Sequence, residues 1–242
     1  MVVSTYRYKY VKITAIKMAA LKQKIHYTIR AMEDKDIPQV LDIDKEAFPA
    51  QWPYPTYSSF KQELRNKLAH YIIACKPNYD SAELKYMNQE ESSNQKNIFS
   101  RLRNLFTSTP ENNYLPPPAR DLIIGMAGIW MMVGEAHIIT IAVRNAFLRL
   151  GIGEGILISV IERSLELQAN MLTLEVRVSN TRAQQLYKKY GFDAVGIRQK
   201  YYTDNGENAL IMSTENIKLP SFQSRFQLLK KTHEETWGPS TG

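Results

Sequence analysis

A chain of 242 residues, 44% of them apolar, is long enough to bury one full-sized core with appendages. Its net charge of +7 points to nucleic acid until it is located: seven of the 31 lysines and arginines fall within residues 1 to 32, which hold no acid, and the rest match the 24 acidic residues one for one. The basicity belongs to an N-terminal arm over residues 1–25 and its junction, which argues against a folded body that tracks phosphates and leaves nucleic-acid contact to the arm alone.

Past the arm, His26 to Arg30 alternates as a short strand should. Residues 34–48 carry Ile37, Val40, Leu41, Ile43 and Phe48 near helical spacing, with acids in the first turn. A turn over Phe48 to Pro53 leads to a second helix at 58–66, and a strand at 70–75 ends in Cys75. This single cysteine permits no internal disulfide; it reads as an inert buried thiol and fits a reducing compartment. No continuous apolar stretch precedes a small-residue cleavage site, so the expected location is the cytoplasm, with the plastid stroma as alternative if the arm is a transit peptide.

Composition changes between Lys76 and Arg120, a stretch rich in Asn, Ser, Glu and Pro that reads as a surface insertion. Within it, Ile98, Phe99, Leu102, Leu105 and Phe106 form one amphipathic helical stripe. The apolar run from Leu122 to Gly134 is too short to span a bilayer; Gly134-Glu135 reads as the turn of a hairpin whose second strand ends at Val143, and no membrane is expected. A glycine-rich turn opens a helix at 153–170. A strand at 171–178, a helix at 181–190 and a strand at 192–202 follow, and Asp204-Asn205-Gly206 returns the chain as a last strand at 208–213. Strand, helix, strand implies a parallel pair, so the sheet is mixed. Residues 215–242 read as a polar tail with isolated Phe222, Phe226 and Trp237.

Gly151-Ile152-Gly153-Glu154-Gly155 stands between a strand and a helix, where glycines bring backbone close to an anion and helix N–H groups point outward. The spacing fits neither a dinucleotide fingerprint nor a P-loop, and a plain tight turn explains it equally well on its own. In the strand 171–178, Thr173, Glu175 and Arg177 share the less apolar face; Glu175 is either a base for an amine nucleophile or half of a surface pair with Arg177. Tyr187 lies on a helical stripe with Ala183, Leu186 and Tyr190, the usual pattern of a core aromatic, yet a phenol also suits the protonation of a thiolate. Asn180 caps the following helix. His26, His70, His137 and His233 lack metal-ligand spacing and no Gly-x-Ser-x-Gly elbow occurs, so no metal site and no serine-hydrolase chemistry is expected.

Taken together, Ile139 to Val143, the glycine turn, Leu174-Glu175-Val176-Arg177-Val178-Ser179-Asn180, Ala183 to Phe192, Gly196 to Tyr202 and Asn208 to Met212 resemble the acyl-CoA core of the GNAT superfamily. More narrowly they resemble the ribosomal-protein-alanine N-acetyltransferase (RimI-like) family, over residues 26–214 with 76–120 inserted. The resemblance implies an α/β GNAT fold, a central mixed twisted sheet flanked by helices, with acetyl-CoA at the split between two parallel strands. It makes Glu175 the general base and Tyr187 the general acid. Cofactor contacts fall to Ile141, Ala142, Val143, to the backbone of Arg149, Leu150, Gly151, Ile152, Gly153 and Glu154, and to Asn180. Tyr201, Tyr202 and Trp52 line the way in for the peptide. Leu148 stands where the superfamily has Gln or Arg, so a side-chain contact to the pyrophosphate is not implied there, and Arg149 or Arg144 offsets the loss. The implied acceptor is the N-terminal alanine of a small-subunit ribosomal protein, and a monomer is expected. Two alternatives are a GNAT acting on a small amine or lysine side chain, and a catalytically retired ribosome- or RNA-binding protein that uses the basic arm.

Overall fold

Alternation along the chain becomes a sheet whose two faces bury different helices. The computed structural model describes residues 25–50, 53–77 and 121–238. In chain order the elements are β1 (Thr28–Ala31), a 3-10 turn (Asp34–Asp36), α1 (Ile37–Ala47), α2 (Tyr57–Arg65), β2 (Ala69–Lys76), β3 (Leu122–Met132) and β4 (Glu135–Val143). A second 3-10 turn (Asn145–Phe147) leads to α3 (Ile152–Glu166), β5 (Met171–Arg177), α4 (Thr181–Lys189), β6 (Phe192–Tyr202), β7 (Glu207–Thr214) and α5 (Pro220–Trp237). The strands form one sheet in the order β1-β2-β3-β4-β5-β7-β6. Its one parallel ladder among the described residues joins β4 to β5, the pair connected through α3. The expected mixed sheet is therefore what the chain forms. The arm and nearly all of the expected insertion, with its stripe from Ile98 to Phe106, lie outside the described residues.

Two cores follow from this layering. On one face, Ile156, Val160 and Ile161 of α3 pack with Leu172, Leu174 and Val176 of β5 and with Phe222 and Phe226 of α5. On the other, Ile37, Val40 and Ile43 of α1 and Phe60 of α2 cover Ile73, Cys75, Ile123 and Met126. Cys75 is buried, its thiol 3.2 Å from the Thr28 hydroxyl.

β4 does not keep one parity. Ala136 and Ile138 belong to the first core, whereas Ala142 belongs to the second. The switch occurs at a register shift: Ile138 faces Ile129 and Thr140 faces Gly128, leaving Ile139 as an extra residue. Such a bulge bends its strand and turns the following side chains over. Gly128 makes the bulge possible, because a Cβ there would sit 3.0 Å from Ile139 Cγ1 and 2.6 Å from the Tyr71 ring.

The residues after Glu215, expected as a tail, are mostly the helix α5. Its face Phe222, Phe226, Leu229, His233 and Trp237 repeats at three and four residues, and Phe222, Phe226 and His233 are buried. At the other sheet edge, β6 exposes Val195 and Ile197, and its pairing with β7 slips twice, between Ala194 and Gly196 and between Arg198 and Tyr202. Lys200 there has φ 51°, in the left-handed region.

Candidate active site

The site begins where the parallel ladder stops. β4 and β5 pair from Glu135–Met171 to Ile138–Leu174 and no farther, although both strands continue. Past that rung Ile141, Ala142 and Val143 remain bonded to β3 on one side and have no β5 partner on the other. Their free N–H and C=O groups form a strand edge suited to an amide-bearing chain. The bulge at Ile139 sits at this fork and gives β4 its change of course.

Below the fork lies the glycine turn. Arg149 has φ 65° and Gly151, the N-cap of α3, has φ 77°. Alternating the backbone sense in this way gathers successive N–H groups into a concavity, and the first amides of α3, from Ile152, Gly153 and Glu154, have no acceptor within the helix. A Cβ on Gly153 would meet only Val143 Cγ2 at 3.7 Å, so the approach to its backbone is open. These amides and the β4 edge fit a ligand with phosphates at one end and amides along its arm.

The side chains of Arg144 and Glu154 are both employed away from the turn. Arg144 is buried: its Nε donates to the Ile123 carbonyl at 2.8 Å and its guanidinium pairs with Glu46 of α1, so it does not replace the residue missing at Leu148. Arg149 is the exposed cation left on the turn. Glu154 turns its carboxylate inward, accepting from Lys189 Nζ at 2.5 Å and Tyr190 Oη at 2.7 Å. Burial opposes its ionisation, but His233, Lys189 and Tyr190 together hold its pKa down at about 2. Only its backbone N–H faces the turn.

Glu175 is the first residue of β5 beyond the fork. Its side chain is 7% exposed and lies between two partners, His137 Nε2 at 3.1 Å and Arg198 Nη2 at 3.0 Å. His137 Nδ1 is 2.8 Å from Thr173 Oγ1, whose hydroxyl donates to Glu135. A carboxylate can only accept, so the hydrogen in the 3.1 Å contact is carried by His137 Nε2, which donates to Glu175. Sequence alone gave no reason to single out His137, since its proximity depends on the parallel register that sets His137 opposite Thr173.

Arg177 is not the partner of Glu175. It binds Asp204 at 2.9 Å and Glu207 at 3.1 Å, and its guanidinium lies 3.8 Å from the centre of the Tyr202 ring. It thereby ties the β6–β7 turn to β5 and seats Tyr202. Tyr201 stands edge-to-face with Tyr202 at 5.2 Å, and Arg198 lies 5.7 Å from its ring centre. Burial and then the Glu175 charge raise the Tyr201 phenol; burial, opposed by Arg177, takes Tyr202 to about 12. Glu175, Arg198, Tyr201 and Tyr202 thus form one cluster.

Tyr187 comes from α4, on the opposite face of the sheet, with its ring 5.7 Å from that of Phe192. Burial, with the nearby Tyr202 adding to it, pushes its phenol up to about 12, so it carries its proton at neutral pH. Asn180 caps α4 by accepting from the Ala183 amide at 3.2 Å. Gln184, unremarked in the sequence, donates to the Arg177 and Val178 carbonyls at 2.9 Å and fixes the β5–α4 connection. Trp52 lies outside the described residues; nearby, Tyr54 Oη donates to the Pro49 carbonyl and closes the turn after α1. Among the described residues no cluster of His, Cys, Asp and Glu has the makings of a metal site, and no helix is long and apolar enough to cross a membrane.

The Acetyltransferase (GNAT) family pattern matches residues 79–192. A Bacillus subtilis protein named as a putative ribosomal protein bS18-alanine N-acetyltransferase is 33% identical over 190 residues, covering 78% of this chain and 95% of that protein. An N-alpha-acetyltransferase of Sulfurisphaera tokodaii is 29% identical, covering 82% and 98%. Among solved structures, the ribosomal-protein-S18-alanine N-acetyltransferase of Escherichia coli shares the fold with a TM-score of 0.53 at 22% identity, over 78% of this chain and 94% of that one.

Proposed function

The chain belongs to the GNAT acetyltransferase family, whose members use acetyl-CoA, and from that premise we propose that it acetylates a protein N-terminus, the alanine amine of a small-subunit ribosomal protein. One observation carries the reading: Glu175 is the residue at which β5 leaves β4, so a carboxylate stands at the mouth of the cofactor cleft. The 33% identity with the Bacillus subtilis protein over nearly its whole length supports the choice of acceptor. The compartment that goes with such an acceptor is the cytoplasm.

Acetyl-CoA supplies the activated acetyl group. The edge of Ile141 to Val143 holds its amide-bearing arm, Asn180 borders that arm, and the turn from Arg149 to Glu154 receives its phosphates. Tyr201 and Tyr202, and by the family resemblance Trp52, line the way in for the peptide. An α-amine has a pKa near 8 and arrives largely protonated. Glu175 takes its proton directly or through one water, and His137 Nε2, donating to the carboxylate, holds it in place. Arg198 keeps the carboxylate oriented by holding its other oxygen. On the far side of the fork the Tyr187 phenol, protonated at neutral pH, gives its proton to the departing sulfur, whose own pKa is about 8.5.

The test is mass spectrometry of an alanine-starting ribosomal-protein peptide after incubation with purified protein and acetyl-CoA. Acetylation on the α-amine is expected, and it persists when residues 1–25 are deleted. An untouched α-amine beside a modified lysine would overturn the reading, as would turnover on free polyamines with none on the peptide.

A further inference from the structure

The helix α5 makes a contact that the transfer chemistry does not call for. It lies antiparallel along α3: Lys230 pairs with Glu162 midway, His233 Nδ1 stands 3.7 Å from Glu154 Oε2, and Trp237 reaches Gly151. The last turn of α5 therefore rests on the first turn of α3, whose amides border the phosphate-binding concavity. A Cβ on Gly151 would come within 2.5 Å of Trp237 Cγ, 2.6 Å of Cδ2 and 2.7 Å of Cδ1, so the indole lies flat against the glycine's Cα. One turn along α3, Gly155 has Tyr27 Oη and His233 Nε2 at 2.1 and 3.2 Å from its own Cβ position. Two glycines of the motif are thus shaped as much by what packs behind them as by what binds in front.

What this packing holds is a strained turn. Arg149 and Gly151 both have positive φ, and for a residue with a Cβ such as Arg149 the left-handed region is strained. The turn also has little side-chain help: Leu148 stands where a polar side chain would reach the phosphates, and Arg144 is committed to Glu46. Recognition is left largely to backbone amides. Amides bind an anion tightly only if they are already gathered, because any ordering on binding is subtracted from affinity. Charge is not the contribution of α5, since the C-terminal end of a helix carries a partial negative charge unsuited to phosphate. Its contribution is shape.

We propose that Trp237, carried by α5, is a positioning residue for the cofactor: it clamps the turn around Gly151 in its phosphate-binding form, so the C-terminal helix sets affinity for CoA. This rests on the acetyl-CoA reading above. By linkage, bound CoA must in turn stabilise the docking of α5.

Calorimetric titration of the full chain with CoA tests it apart from turnover. W237A is expected to weaken CoA binding by about tenfold or more, with KM for acetyl-CoA rising in step, while kcat at saturation and KM for the peptide stay within about twofold. W237F keeps a flat ring on Gly151 and is expected to recover most of the affinity. L228A, on the exposed side of α5, is expected to match the parent. In the unaltered protein, CoA is expected to slow amide exchange over residues 230–237. Equal CoA affinity for W237A and the parent would overturn the proposal, and so would unchanged exchange in α5, a readout that survives even if W237A fails to fold. If the parent itself bound no CoA, the acetyltransferase reading would fall and take this proposal with it.

Discussion

The mouth of the fork and the turn beneath it solve their tasks with opposite means. At the mouth, Glu175, His137, Thr173 and Arg198 are side chains held by side chains, and chemistry depends on which functional group occupies each position. At the turn, the working groups are backbone amides, and the side chains matter for the space they leave: none at Gly151, where an indole lies, and none at Gly155, where a phenol lies. The contrast teaches that the two regions fail differently. A change at the mouth alters rate while leaving the shape, and a change at the turn alters shape and hence binding.

The largest expected effect breaks the mouth alone. E175Q keeps the volume and removes the proposed base, so kcat on the peptide is expected to fall by about 100- to 10,000-fold, with CoA affinity by calorimetry unchanged. G151A is the reciprocal case. An alanine there must adopt a positive φ, at about 1–2 kcal/mol, and must displace the Trp237 ring; CoA affinity is expected to drop by about tenfold or more and the melting temperature to fall, with kcat at saturation little changed. E154Q sharpens the comparison with the smallest effect on function. Although Glu154 belongs to the glycine motif, its charge serves the interior, so turnover is expected to hold and acid stability to change. Its pKa is about 2 in the folded chain against an ordinary 4.5, so its contribution is fully present above pH 4.5 and disappears as pH falls towards 2. Urea melts of the parent and E154Q are expected to differ by at most about 3 kcal/mol at neutral pH and to converge near pH 2.

The central run from β4 to β7 was legible because local signals there agree. Period-two alternation marks β5, glycines mark the start of α3, Asn180 marks the start of α4, and Asp204-Asn205-Gly206 marks the last turn. What escaped depended on register or on tertiary packing. His137 becomes a neighbour of Glu175 only once β4 and β5 are paired in parallel at one particular offset. The bulge at Ile139 reverses the faces of β4 in mid-strand, which no regular alternation can announce. Arg144 was expected at the phosphates from its position just before the turn, but the fold brings Glu46 to it from α1. The helix α5 is hidden in the sequence because Phe222, Phe226 and Trp237 stand isolated until Leu229 and His233 are counted on the same face, and the burial of a histidine depends on tertiary packing.

The outer rim at β6 has a consequence of its own. A bare, straight strand with Val195 and Ile197 in the open would template the addition of further chains, one hydrogen-bonded rung after another. Here the double slip against β7 and the left-handed Lys200 break that row into short, misaligned pieces. The irregularity that brings Arg198 to Glu175 and sets the tyrosine pair edge to face is also what denies a growing fibril its straight seam.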